Sequence, residues 1–75
     1  MTKSEFLLKF QDILQREAPV RESDRLADYP EWDSLSKMAL LAYYSQTFGI
    51  SIALDEFKKL QTVADLIRVP GERLE

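Results

Sequence analysis

Residues 33–49, DSLSKMALLAYYSQTFG, decide the fold of this chain. Asp33 stands just ahead of an apolar run. There a carboxylate accepts from amides that a first helical turn leaves unpaired, at the positive end of the macrodipole. Ser34 opens the helix proper, and Leu35, Met38, Leu40, Leu41, Ala42, Tyr43 and Tyr44 spread over more than half of its circumference. Such a helix is expected to be the most buried one, with some apolar surface left for a partner. Phe48-Gly49 closes it, the glycine supplying a left-handed C-cap.

Upstream, Thr2 and Glu5 have capping-box spacing, and Phe6, Phe10 and Ile13 recur at helical intervals with Leu7 and Leu14 beside them. Pro19 predicts the end of this helix near Glu17–Ala18. Between the two helices, residues 18–33 have no period, yet Val20, Leu26, Tyr29 and Trp32 are apolar enough to pin the stretch down. Connections this long are more often functional than idle. Five acids (Glu22, Asp24, Asp28, Glu31, Asp33) against Arg25 alone leave the part from residue 22 to 33 at −4. Its acids do not fit a calcium loop, which needs a strict alternation and a central glycine.

Downstream, residues 49–54 alternate like a strand but have nothing to pair with, so they read as an extended connector. Asp55–Leu60 makes at most a short helix. Thr62, with Asp65 in the capping-box slot, starts a last one that Pro70-Gly71 stops. Helices are thus expected near 3–17, 34–48, 55–60 and 62–69. A lone amphipathic face needs partners, so they are expected to pack as a bundle.

Composition narrows the functions. The 75 residues are 45% hydrophobic and 31% charged, enough for one globular domain and too apolar for a disordered chain. A domain of this size buries only roughly 60% of the surface its unfolded chain exposes, so a deep dry cleft is hard to build. No Cys and no His occur, which excludes disulfides, thiolate or imidazole metal sites and Cys–His or Ser–His nucleophilic machinery. An enzyme has no supporting residues here. Ten Lys+Arg against thirteen Asp+Glu leave −3 and no basic footprint for nucleic acid or anionic lipid. The longest apolar run, Met38–Tyr44, is too short to insert in a membrane, and Met1–Glu5 leads into no secretory segment. A cytoplasmic monomer is expected. The domain is taken as residues 1–73, with Leu74-Glu75 set apart as having the look of a cloning scar.

One arrangement invites chemistry. Ser34 lies at a helix start, where unpaired amides and partial positive charge suit a phosphate, although Asp33 would repel one. Taken alone this is an ordinary surface serine. Its context is not ordinary: Asp33-Ser34-Leu35, the apolar helix ending at Phe48-Gly49-Ile50, then Ile52, Asp55-Glu56 and Leu60-Gln61-Thr62-Val63 follow one another in this order. From about Leu26 to Ile67 the chain resembles an acyl carrier protein. The resemblance implies an all-α, antiparallel four-helix bundle with a long first loop and a short third helix. It also implies 4′-phosphopantetheine on Ser34, derived from coenzyme A and installed by a phosphopantetheinyl transferase. The arm's thiol would then hold acyl groups as thioesters for acyl-loading and acyl-transferring partner enzymes. A carrier needs no His or Cys of its own, since the prosthetic group brings the thiol.

Within that reading, Asp33 caps the helix and presents the serine, Leu35 anchors the turn in the core, and Met38 meets partners through an apolar contact. Ala39 and Ala42, being small, would set how long an acyl chain the bundle shelters. The chain departs from fatty-acid-synthesis carriers, which bear acids along the second helix. Here Lys37 is the one charge between residues 34 and 54, and the usual acidic positions read Ser36, Ala39, Ser45 and Gln46. Docking would lean on Met38 and Ala42, with attraction from the acidic loop and from Asp55 and Glu56. Trp32 stands where small residues are common, and the Gly-Gly pair of peptidyl carriers is missing. A specialised pathway is therefore expected. The alternative is an unmodified helical adaptor that binds a protein through the same helix.

Overall fold

A computed structural model describes residues 1–71 and 74. Among them the chain forms four α-helices and no strand: α1 (Lys3–Leu14), α2 (Ser34–Phe48), α3 (Leu54–Phe57) and α4 (Val63–Arg68). The expected all-α bundle, with its long first loop and short third helix, is what forms. No helix among the described residues is long and apolar enough to cross a membrane. The expected boundary at residue 73 and Glu75 lie outside the described residues. Leu74 packs partly buried against the core.

Both helices of the long pair end on a residue in the left-handed region, with different hydrogen bonds. At α2 the Gly49 amide donates to the Ser45 carbonyl and the Ile50 amide to Tyr44, with Gly49 at φ 66°. The bond from Gly49 four residues back is that of the αL motif, which places glycine in the left-handed region. At α1 the end is a Schellman motif built without glycine. Gln15 sits at φ 55° and donates to Asp12, Arg16 donates to Gln11, and the Gln11 amide group reaches on to the carbonyls of Arg16 and Glu17. The helix therefore stops at Leu14, three residues before the expected end, because Gln11 holds the chain back long before Pro19 acts. The third helix is also shorter than expected, with no side-chain cap at its start. The capping boxes at Thr2/Glu5 and Thr62/Asp65 form as read.

The core is a stripe of Phe6, Phe10 and Leu14 from α1 against Leu40 and Tyr44 from α2, closed by Phe57 and by Val63, Leu66 and Ile67 of α4. Tyr44 meets Phe6 edge-on at 6.1 Å, and its buried hydroxyl donates to the Leu66 carbonyl at 2.6 Å. The residue four positions after Leu66 is Pro70, which has no N–H to offer that carbonyl. A side chain from another helix supplies the missing donor. Burial pushes the Tyr44 hydroxyl far above the usual tyrosine range, so it stays a donor.

Far from idle, the long loop is tied down by Val20, Leu26 and Tyr29, all buried as expected, and by a 3-10 turn at Leu26–Asp28. It pairs with the start of α4. An isolated antiparallel bridge joins Arg25 and Thr62, the Leu26 amide donates to Gln61, Val63 to Asp24 and Ala64 to Glu22. The first amides of α4, orphans in any helix, are thus taken up by loop carbonyls.

One expectation is overturned. The apolar α2 is not the most buried helix: it buries Ser36, Leu40 and Tyr44 out of its fifteen residues, whereas the six-residue α4 buries Val63, Leu66 and Ile67. Phe6 of α1 and Leu66 of α4 meet only one stripe of α2.

Candidate functional site

The start of α2 is organised by two side chains. The Asp33 carboxylate accepts from the Ser36 amide at 3.0 Å, and the Asp33 amide donates to the Ser36 hydroxyl at 2.9 Å. That hydroxyl in turn donates to the Glu31 carbonyl at 2.8 Å, with the Asp33 carbonyl 3.1 Å away. The Ser36 amide holds the Asp33 carboxyl below its usual range. Asp33 caps the helix as expected. Its reciprocal partner Ser36, only 6% exposed, was not foreseen. The spacing Asp-x-x-Ser carried the signal, since it is a capping box with serine in place of Glu or Gln. It also removes Ser36 from the surface positions expected to face partners.

With the cap satisfied by Asp33 and Ser36, Ser34 is left over. It is the first residue of α2, it is exposed, and its hydroxyl makes no hydrogen bond among the described residues. This leaves a side-chain oxygen standing in solvent beside a helix N-terminus.

Leu35 is a correction. It does not anchor the turn in the core but is 78% exposed. Since α2 turns the stripe 36–40–44 inward, Leu35 lies about 100° away, on the solvent side. Met38 (66% exposed), Ala39 and Ala42 follow it at helical spacing and are exposed too. The two alanines therefore cannot gauge an acyl chain inside the bundle. Together these residues make an apolar outer stripe one turn from Ser34.

Lys37 is half-buried, with its ammonium 5.8 Å from the centre of the Trp32 ring. Trp32 itself is wedged between Phe10 and Phe57, both at 5.7 Å. Asp55 and Glu56 stand exposed on α3, a separate element from the other candidates, and Glu56 is paired with Lys59 at 3.6 Å. The acidic loop is less free than its charge suggests. Asp24 accepts from the Tyr29 hydroxyl at 2.6 Å, which holds its carboxyl below the usual range, and Glu31 pairs with Arg16 at 3.0 Å. Arg16 also stacks on Tyr29, 4.5 Å from its ring centre. Of the five acids, only Glu22 and Asp28 keep carboxylates without such a task among the described residues.

Two clefts flank this end of α2. One, of about 510 Å³, runs between Ile13, Gln15, Glu31, Leu35 and Ala39. The other, of about 830 Å³, lies between Arg25, Trp32, Lys37, Leu60 and Gln61.

No curated protein and no solved structure matches the chain closely enough to count as a relative. The family model described as "Phosphopantetheine attachment site" matches residues 5–69, nearly the whole chain and all four helices but for the first two residues of α1. An exposed serine at the head of an apolar helix, inside a small all-helical bundle, is therefore met by a family-wide match, and the chain belongs to the phosphopantetheine attachment family, whose members carry 4′-phosphopantetheine covalently bound.

Proposed function

We propose that this protein is an acyl carrier whose attachment residue is Ser34, and that it serves a specialised pathway rather than housekeeping fatty-acid synthesis. The observation that carries the reading is the unengaged, exposed Ser34 hydroxyl at the head of α2, beside a cap made entirely by Asp33 and Ser36. The residues fit the group. The oxygen is open to a modifying enzyme, the helix N-terminus favours the phosphodiester, and Lys37 lies one turn on, so the repulsion from Asp33 is opposed. In the attachment, the Ser34 oxygen bonds to the phosphorus of the pantetheine phosphate in coenzyme A. The nucleotide leaves as adenosine 3′,5′-bisphosphate and the serine proton passes to a base of the transferase. The arm so attached supplies a thiol that holds an acyl group as a thioester.

This chain's own residues bind and present, and do no bond-making. Leu35 and Met38 offer partners an apolar stripe, and Lys37, Asp55 and Glu56 offer charge around it, so loading and transferring enzymes are the partners. With no acid on α2, docking here depends less on a basic partner surface than in fatty-acid-synthesis carriers. Modification from coenzyme A fits a cytoplasmic protein, and the carrier acts as a monomer in this reading. Residues 1–73 form the carrier domain.

Mass spectrometry after incubation with a phosphopantetheinyl transferase, Mg²⁺ and coenzyme A tests the reading. The chain should gain the mass of one arm and Ser34→Ala should gain none. A wild-type chain left unmodified by several transferases would favour the adaptor, whose partner would seat on the exposed Leu35–Met38 stripe.

A further inference from the structure

The protein as a whole carries a net charge of −3. The 830 Å³ cleft beside α2 is different. Arg25 and Lys37 border it, no carboxylate lines it, and neither cation makes a salt bridge among the described residues. Its floor is firm, because the Arg25–Thr62 bridge and the Leu26-to-Gln61 hydrogen bond at 2.9 Å knit the loop to the chain before α4. One wall is Trp32, clamped between two phenylalanines. Behind it the bundle is full. Leu40, Phe57 and Leu66 are buried, and Tyr44 spans α2 and α4 through its bond to Leu66. The cleft walls, with Gln61 and Thr62 among them, suit a polar end better than a long aliphatic chain.

We propose that the cleft between Trp32, Lys37, Arg25 and Gln61 receives the far end of the carried acyl group, and that it selects a short acyl group ending in a carboxylate. This rests on the reading of Ser34 as attachment residue. Ser34 and Lys37 are three apart on α2, hence neighbours on one side of the helix, so an arm starting at Ser34 can fold back along the helix and lay its far end in the cleft. A terminal carboxylate would meet two unpaired cations, and the methylene groups before it would lie against Trp32 and Leu60. A methyl-terminated group of equal length gains only the second contact.

Trp32 is the sole tryptophan, so its indole N–H is a single resonance at the cleft wall. The test loads ¹⁵N-labelled protein, by transferase, from two coenzyme A thioesters of equal length, one ending in a carboxylate and one in a methyl group. Mass spectrometry first confirms the load. Relative to the arm without cargo, the carboxylate form should move the Trp32 indole and the Gln61 and Thr62 amide signals about two- to fivefold further than the methyl form, the occupancy ratio an exposed ion pair supports. Arg25→Gln with Lys37→Gln should reduce its shifts to those of the methyl form. Both residues lie outside the core, and high salt should give the same reduction without any substitution. Equal shifts for the two cargoes, or a carboxylate shift that survives both the double variant and salt, overturn the inference while leaving Ser34 in place. Failure of both forms to load overturns the attachment reading, and this inference with it.

Discussion

Tyr44→Phe removes one oxygen from the centre of the bundle. Tyr44 is fully buried, its hydroxyl donates to Leu66 at 2.6 Å, and Pro70 denies that carbonyl the usual helical donor. Phenylalanine keeps the ring and its packing on Phe6 and Phe48 but leaves a buried acceptor without a partner. The cost of such an orphaned group is about 1–3 kcal/mol. A domain of this length has about 4–11 kcal/mol in all. Taking about 2 kcal/mol, and about 4–8 °C per kcal/mol for domains this small, Tm should fall by roughly 8–16 °C. Thermal and urea unfolding followed by far-ultraviolet circular dichroism measures it. Tyr43→Phe is the control, since that half-buried tyrosine's hydroxyl donates to the Met1 sulfur at 3.2 Å at the surface and no buried carbonyl depends on it. In a Pro70→Ala background, which restores an N–H in register with Leu66, Tyr44→Phe should cost less, and the double-mutant cycle isolates the coupling. A Tm within about 2 °C of the parent, or no coupling to Pro70, refutes the reasoning, because about 1 kcal/mol already moves Tm by more than that.

Ser36→Ala breaks the reciprocal cap with Asp33 and should cost about 1–2 kcal/mol in denaturant unfolding, without preventing arm attachment at Ser34. Leu35→Ala should leave stability within about 0.5 kcal/mol, because the side chain is in solvent, yet slow modification or acyl transfer measured by mass spectrometry. Unchanged rates would remove Leu35 from the docking surface. Three carboxyls are held below their usual range by amide donors: Glu5 by Thr2, Asp33 by Ser36 and Asp65 by Gln61. Their unfolded-state values are higher, so the unfolded chain binds more protons in acid. The stability they confer is present above about pH 4 and is lost as pH falls through the folded values. Tm should be nearly flat from about pH 7 to 5 and drop below about pH 4, and an acid-insensitive Tm would contradict the caps.

The helix ends set by local chemistry could be read directly, as at Thr2/Glu5, Asp33, Gly49 and Thr62/Asp65, because each needs only residues within one turn. Gln15 escaped, since its positive φ depends on Gln11 reaching across the turn to two carbonyls, and no residue type announces that. The direction of α2 escaped as well. Its apolar residues run nearly all round, so periodicity alone did not tell the inward stripe of Ser36, Leu40 and Tyr44 from the outward stripe of Leu35, Met38, Ala39 and Ala42. That choice is made by Phe6 and Leu66, which are far away in sequence. For the proposed site, Asp33 was legible as a cap from its place before the apolar run, and Ser34 only from the ordered set of residues around it. The cleft was not, because Arg25, Trp32, Lys37 and Gln61 meet only through the pairing of residues 24–26 with 61–63.

That pairing has a consequence for exchanging parts between carriers. A six-residue helix is too short to persist unaided in water, and here two of its opening amides lean on the carbonyls of Glu22 and Asp24. Segment 22–26 is thus a splint for α4. A chimera that imports a foreign first loop without the matching last helix would leave those amides stranded, so the two must travel together in any transplant.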